Sequence, residues 1–222
     1  MVIFLLFFIQ IVLLFFLSRL TINEIFYFLR LFIKEEKTVL ILVSLLFLPG
    51  TIVHELSHFF AATILLIRVR ELKIFPEFKE EEIKLGHVLY EKQDFIRGIL
   101  IGIAPFFAGS FFFLSLAYFK IFPSQNLFLN LLLIYLIFAV SSTMFSSKKD
   151  LVDMVFFLPF LIVLAGIIYV FNLRLDLILK NPVIYQNLIA VLSKINNYLF
   201  ISLLICLAII SILKIVKKLI IR

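Results

Sequence analysis

His54-Glu55-Leu56-Ser57-His58 is the densest group of chemistry-bearing side chains in the sequence. On a helix, residues four apart share a face at about 5–6 Å between Cβ atoms, so both imidazoles can reach a single Zn²⁺. Glu55, one position on from His54, is then close enough to exchange a proton with a metal-bound water. With three His in 222 residues, an HExxH arises by chance roughly once in 500 such chains, so the pattern is specific although short. The competing reading is a helix whose polar residues face the bundle interior and bond one another. Ionisable groups at the bilayer centre each cost about 2.5–3.5 kcal/mol unless compensated, and a bound metal is such a compensation.

A catalytic zinc takes three protein ligands and a water. The downstream acids are few. Glu71 to Glu91 and Asp94 belong to a polar stretch and Asp176 to a loop, which leaves Asp150 and Asp153 in Ser146-Ser147-Lys148-Lys149-Asp150-Leu151-Val152-Asp153-Met154. Either can also cap the helix that this segment opens, because Ser147-x-x-Asp150 resembles a capping box and both acids suit the positive end of a helix dipole. Asp150 is placed as the third ligand, with Asp153 as the alternative.

These residues must be positioned inside a membrane. The chain is 64 % hydrophobic and 16 % charged with 29 Phe and a mean hydropathy of +1.20, far from the roughly 45–50 % apolar and 25 % charged of soluble domains. The apolar residues come in long runs, which excludes a soluble globule. The net charge of +7 comes from Lys and Arg at the ends of those runs, where they anchor headgroups and set topology, so no nucleic-acid partner is expected. Cys206, the one cysteine, has no disulfide partner and reads as a lipid-facing or core residue.

The expected architecture is an all-α polytopic membrane protein of about six transmembrane helices forming a single domain over residues 1–222. The spans are Met1 to Leu17, Thr38 to Ile67 with a break at Pro49-Gly50, Phe95 to Ile121, Leu127 to Phe145, Leu151 to Phe171 and Tyr198 to Val216. The first span lacks a basic leader and a cleavage site, and reads as retained. Leu20 to Ile33 carries Asn23, Glu24 and Arg30 and is expected to be an interfacial or tilted helix rather than a full crossing. Pro182 to Asn197 reads as a separate amphipathic stretch. Val69 to Tyr90 alternates with strand period around Glu80-Glu81-Glu82, predicting a β-hairpin after the HExxH helix. With the N-terminus inside, the cytoplasmic loops carry thirteen Lys and Arg against seven outside, which puts the hairpin and both termini in the cytoplasm.

Three smaller features are assigned local roles. Gly98-x-x-x-Gly102, Pro105 and Gly109-Ser110 allow close helix approach towards the HExxH helix. Asn126, Asn130 and Ser141-Ser142-Thr143 satisfy backbone or line a water path, and His87 is an ordinary hairpin residue.

Pro49-Gly50-Thr51-Ile52-Val53-His54-Glu55-Leu56-Ser57-His58-Phe59-Phe60-Ala61-Ala62 in a span, a following hairpin, and an Asp-bearing segment opening a later span together resemble the site-2 protease family of intramembrane zinc metalloproteases, in a compact, divergent form. The resemblance covers about Thr38 to Met154, in a core region of about 38–171. It implies zinc bound by His54, His58 and Asp150 or Asp153, Glu55 as catalytic acid/base, and a transmembrane protein or peptide as substrate within the lipid bilayer. The family's usual Leu-Asp-Gly is replaced here by Lys149-Asp150-Leu151 and Val152-Asp153-Met154. A metal-binding but inactive relative and a metal transporter use the same ligands; transport, however, does not need the carboxylate that HExxH puts beside them. The Ile, Phe, Leu and Lys bias and the absence of appended modules suggest a prokaryotic cell membrane.

Overall fold

The computed structural model describes residues 2–74, 77–79, 82–84, 87–91, 94–144 and 181–220. A largely apolar run without Pro or Gly gives α1 (Val2–Arg30), and a second, with Pro only at its first position, gives α7 (Pro182–Ile220). Between them lie α2 (Glu36–Leu46), α3 (Leu48–Ile64), four short strands, α4 (Phe95–Gly102), α5 (Ala104–Tyr118) and α6 (Leu127–Thr143).

The burial pattern is inverted relative to a soluble protein. On α1 the buried positions are Gln10, Leu14, Ser18 and Thr21, one stripe at helical spacing, while Phe4, Leu5, Phe8, Val12 and Phe16 are exposed. The facing stripe of α7 runs through Asn196, Tyr198, Leu199, Ser202, Leu203 and Cys206. Hydrocarbon outside and hydroxyls inside is the arrangement that lipid solvation favours, since a buried polar group finds a partner only within the bundle. The protein is an integral membrane protein.

Asn196 Nδ2 donates to the Ile3 carbonyl at 3.2 Å and Lys217 Nζ pairs with Glu24 at 2.7 Å. Both contacts join positions 193 apart in sequence, so α1 and α7 run parallel. Two parallel helices crossing one bilayer have an odd number of crossings between them. The sequence-based count put four there, so it does not describe this pairing. Among the described residues three helices are long and apolar enough to cross, Val2–Arg30, Phe95–Tyr118 and Pro182–Ile220, with α2 and α3 as a fourth if that bent pair is one span. The expected crossing at Leu151 to Phe171 lies outside the described residues. The charge count that put both termini in the cytoplasm assumed six crossings and falls with that number.

Two further boundaries are corrected. Leu20 to Ile33 is not a separate interfacial helix: α1 continues through it to Arg30. Glu24, the costly residue, is compensated by Lys217, the pair being only about a fifth exposed. Pro182 to Asn197 likewise belongs to α7, which is 39 residues long and so reaches about 58 Å, more than the roughly 40–45 Å of a whole bilayer.

The expected hairpin is present. β1 (Val69–Lys73) pairs antiparallel with β4 (His87–Tyr90), Lys73 opposite His87 and Val69 opposite Tyr90, with a bulge between Val69 and Glu71. β2 (Glu77–Lys79) pairs with β3 (Glu82–Lys84) nested inside it. Ile67, Val69 and Tyr90 pack with Ala61, Ala62, Leu65 and Ile101, which seats the base of the ribbon on the ends of α3 and α4. Asn126 caps α6 through the amides of Phe128 and Leu129, and Asn130 exchanges bonds with the Ser124 backbone. Both asparagines therefore serve the backbone. Cys206 is a core residue, fully buried beside Thr21, Ser142 and Ser202.

Candidate metal centre

The HExxH helix begins at a break. Pro49 has no amide with which to continue α2, and it sits in the first turn of α3 where no donor is needed. The two helices meet at 73° around Phe47. A carbonyl left without its helical donor at membrane depth needs another one. At this break the Tyr135 hydroxyl donates to the Leu46 carbonyl at 2.8 Å.

Gly50 permits the next contact. A Cβ there would lie 2.2 Å from the Ala139 carbonyl oxygen and 2.4 Å from Thr143 Oγ1, so α6 touches the α3 backbone directly. Gly50 is one turn before His54. The start of the HExxH helix is thus wedged against α6, while Phe47 packs on Phe138 at 5.5 Å between centroids. At Gly109 the nearest neighbour is the Met144 side chain at the end of α6.

His54, Glu55 and His58 are 3 %, 6 % and 8 % exposed. The His58 Nδ1–H donates to the Ile101 carbonyl at 2.9 Å. A carbonyl only accepts, so this bond puts the ring proton on Nδ1 and leaves the lone pair on Nε2. That Nε2 lies 3.2 Å from His54 Nε2, with the rings nearly perpendicular at 85°. Two nitrogens bound at about 2.0–2.1 Å to one tetrahedral ion stand about 3.3–3.4 Å apart, so the pair fits a common metal ion. A backbone carbonyl on the far ring nitrogen is also the usual way a ligating histidine is oriented. Ser57, between the histidines, turns its hydroxyl back to the His54 carbonyl at 2.6 Å.

The model of the Peptidase M50B-like family matches residues 25–204, more than half of the chain, with the buried histidine pair inside the match. The chain belongs to the Peptidase M50B-like family. It is thereby a member of the site-2 protease type of membrane metallopeptidases, as the HExxH segment and its surroundings implied. No curated protein and no solved structure matches it.

In this M50B-like chain the structure brings together His54, Glu55 and His58 on one buried stretch of α3. Among the described residues no group of three His, Cys, Asp or Glu side chains converges to hold an ion. Asp150 and Asp153 lie outside the described residues. Ile101 was not foreseen, because its contribution is a backbone carbonyl that its side chain does not advertise. Nor was the close approach at Gly50, or the hydroxyl that Tyr135 supplies to the break.

Proposed function

We propose that this protein is an intramembrane zinc metallopeptidase that hydrolyses peptide bonds of membrane-protein substrates within or near the bilayer. The observation that carries this reading is the pair of buried Nε2 atoms at 3.2 Å, one of them oriented by the Ile101 carbonyl. His54 and His58 are two of the metal ligands and Asp150 the third, with Asp153 as the alternative. A zinc ion held there would supply Lewis acidity, bringing the pKa of a bound water to about 7 and polarising the scissile carbonyl. Glu55 takes the proton of the attacking water on its carboxylate and returns it to the leaving amine. Burial of the His54, Glu55 and His58 side chains strengthens the charge interactions among them.

A transmembrane substrate arrives as a helix with its carbonyls hydrogen-bonded, so it must be locally unwound before attack. The ribbon of β1 and β4, seated on the end of α3 beside Ile101, offers a strand edge on which an extended peptide can pair. Proline or charge substitutions along Val69 to Lys73 then lower cleavage while leaving metal content intact.

The decisive experiment is zinc per protein, by mass spectrometry on detergent-purified wild type, Glu55→Gln, Asp150→Asn and Asp153→Asn, together with cleavage of a membrane-protein substrate. The expected result is about one zinc in the wild type and in Glu55→Gln, abolished cleavage in Glu55→Gln, and loss of zinc in one Asp variant. A wild type that takes up no transition metal after supplementation refutes the reading. Zinc without Glu55-dependent cleavage favours a metal-binding relative, and zinc flux across vesicles a transporter.

A further inference from the structure

Ile101 and Pro105 are four residues apart. In a continuous helix the amide of residue 105 would donate to the carbonyl of residue 101. Proline has no amide hydrogen, and the Phe95–Tyr118 helix is interrupted for the one residue Ile103 between α4 and α5, with Pro105 in the first turn of α5. The Ile101 carbonyl is the one that accepts from His58 Nδ1 at 2.9 Å. Ile101 is fully buried, so the acceptor faces neither lipid nor water.

We propose that Pro105 is a positioning residue for His58: by withholding the helical donor from Ile101, it reserves that carbonyl for the imidazole and fixes the tautomer whose Nε2 lone pair faces His54. With an amide hydrogen at 105, a helical bond would occupy one lone pair of this oxygen and hold it along the helix axis, away from its present alignment with the imidazole. The imidazole then loses part of its orientation and samples the tautomer protonated at Nε2, in which no lone pair points at the metal position. Pro105 does this without touching metal or substrate. The proposal rests on the metallopeptidase reading for its consequence, but the tautomer itself is a property of the metal-free chain.

The test uses the full-length protein in detergent, metal-free, with nitrogen-15-labelled histidine. Long-range proton–nitrogen spectra distinguish the two tautomers, and His58→Gln identifies the His58 signals among those of the three histidines. The wild type is expected to show His58 protonated at Nδ1. Pro105→Ala is expected to shift it towards the Nε2-protonated form and to weaken zinc binding, measured against a competing chelator, by about 10–100-fold, the usual effect of losing a ligand's outer partner. Lactic acid incorporated at position 105 replaces the proline ring with an ester that has no N–H, and is expected to keep the wild-type tautomer and affinity.

A wild-type His58 protonated at Nε2 overturns the proposal without any variant. So does a folded Pro105→Ala with unchanged tautomer and affinity, or an ester variant that loses as much affinity as Pro105→Ala, since the rigid ring rather than the missing donor would then be responsible. Normal tautomers with no zinc uptake in the wild type sink the metallopeptidase reading while leaving the role of Pro105 standing.

Discussion

Gly50→Ala adds one methyl group at the tightest contact of the candidate centre. That methyl would sit 2.2 Å from the Ala139 carbonyl oxygen and 2.6 Å from its carbon. Both are backbone atoms of α6 and cannot swing aside. Reaching a tolerable separation of about 3 Å requires α6 and the start of α3 to part by almost 1 Å, and overpacking of this kind costs about 1–3 kcal/mol. The helix-propensity gain of Ala over Gly, about 1 kcal/mol, offsets only part of it.

Gly109→Ala is the matched control. Its methyl meets the Met144 side chain at 2.0 Å from Cε, the far end of a flexible group, so rotation of Met144 relieves the clash and the propensity gain remains. Cys206 supplies the assay: it is the one cysteine and is fully buried, so a fluorogenic maleimide reports unfolding without added labels. For a chain of this size 1 kcal/mol corresponds to about 2–4 °C. The net loss for Gly50→Ala, about 1 kcal/mol at mid-range, is expected to lower its melting temperature by about 2–4 °C, with weakened zinc binding because His54 is one turn away, whereas Gly109→Ala is expected to melt about 2–4 °C above wild type. Equal melting temperatures for the two variants, or a Gly50→Ala chain that binds zinc normally, would refute the claim that direct backbone contact with α6 holds the HExxH helix in place.

Leu66, at the end of α3, has a φ of 57° and is 90 % exposed, so Leu66→Gly removes a left-handed strain of about 1–2 kcal/mol and is expected to raise the melting temperature by a few degrees. Because α1 and α7 are parallel, reporters fused to the two termini are expected on opposite sides of the membrane, and a same-side result would refute that pairing. Glu24→Gln and Lys217→Met each leave a charge among apolar neighbours and are expected to destabilise by up to about 3 kcal/mol. The double variant is expected to recover part of that loss in a double-mutant cycle.

The parts of this protein legible in its sequence are those governed by side-chain type. HExxH was visible because three rare residues share one helical turn, and the hairpin because Val69 to Lys73 alternates. The break before α3 was visible because Pro49 cannot donate. Span number was not legible, since hydropathy says which segments enter a membrane and nothing about how they pair; the in-step contacts of Asn196 and Lys217 on α1 carry that information. The continuity of α1 was missed for a related reason. Glu24 is expensive only while alone, and its partner lies 193 residues away.

Two interrupted helices, one bent by 73° at Phe47 and one lacking a single helical donor at Pro105, show how an irregular backbone is tolerated at this depth. Each break frees a carbonyl that hydrocarbon cannot satisfy, at a cost of several kcal/mol if left unpaired. Tyr135 meets that need at Leu46 and His58 meets it at Ile101, so one defect is repaired by a neighbouring helix and the other by a candidate metal ligand. The second repair does more than stabilise. A histidine held by a water molecule or a rotatable hydroxyl could take its proton on either nitrogen, because both partners donate and accept, whereas a carbonyl only accepts. A backbone acceptor released by a proline therefore fixes the direction of an imidazole lone pair more firmly than an exposed polar side chain would. In a bundle where most contacts are between Phe, Leu and Ile, the strictest orientation at the centre comes from the place where regular helix was given up.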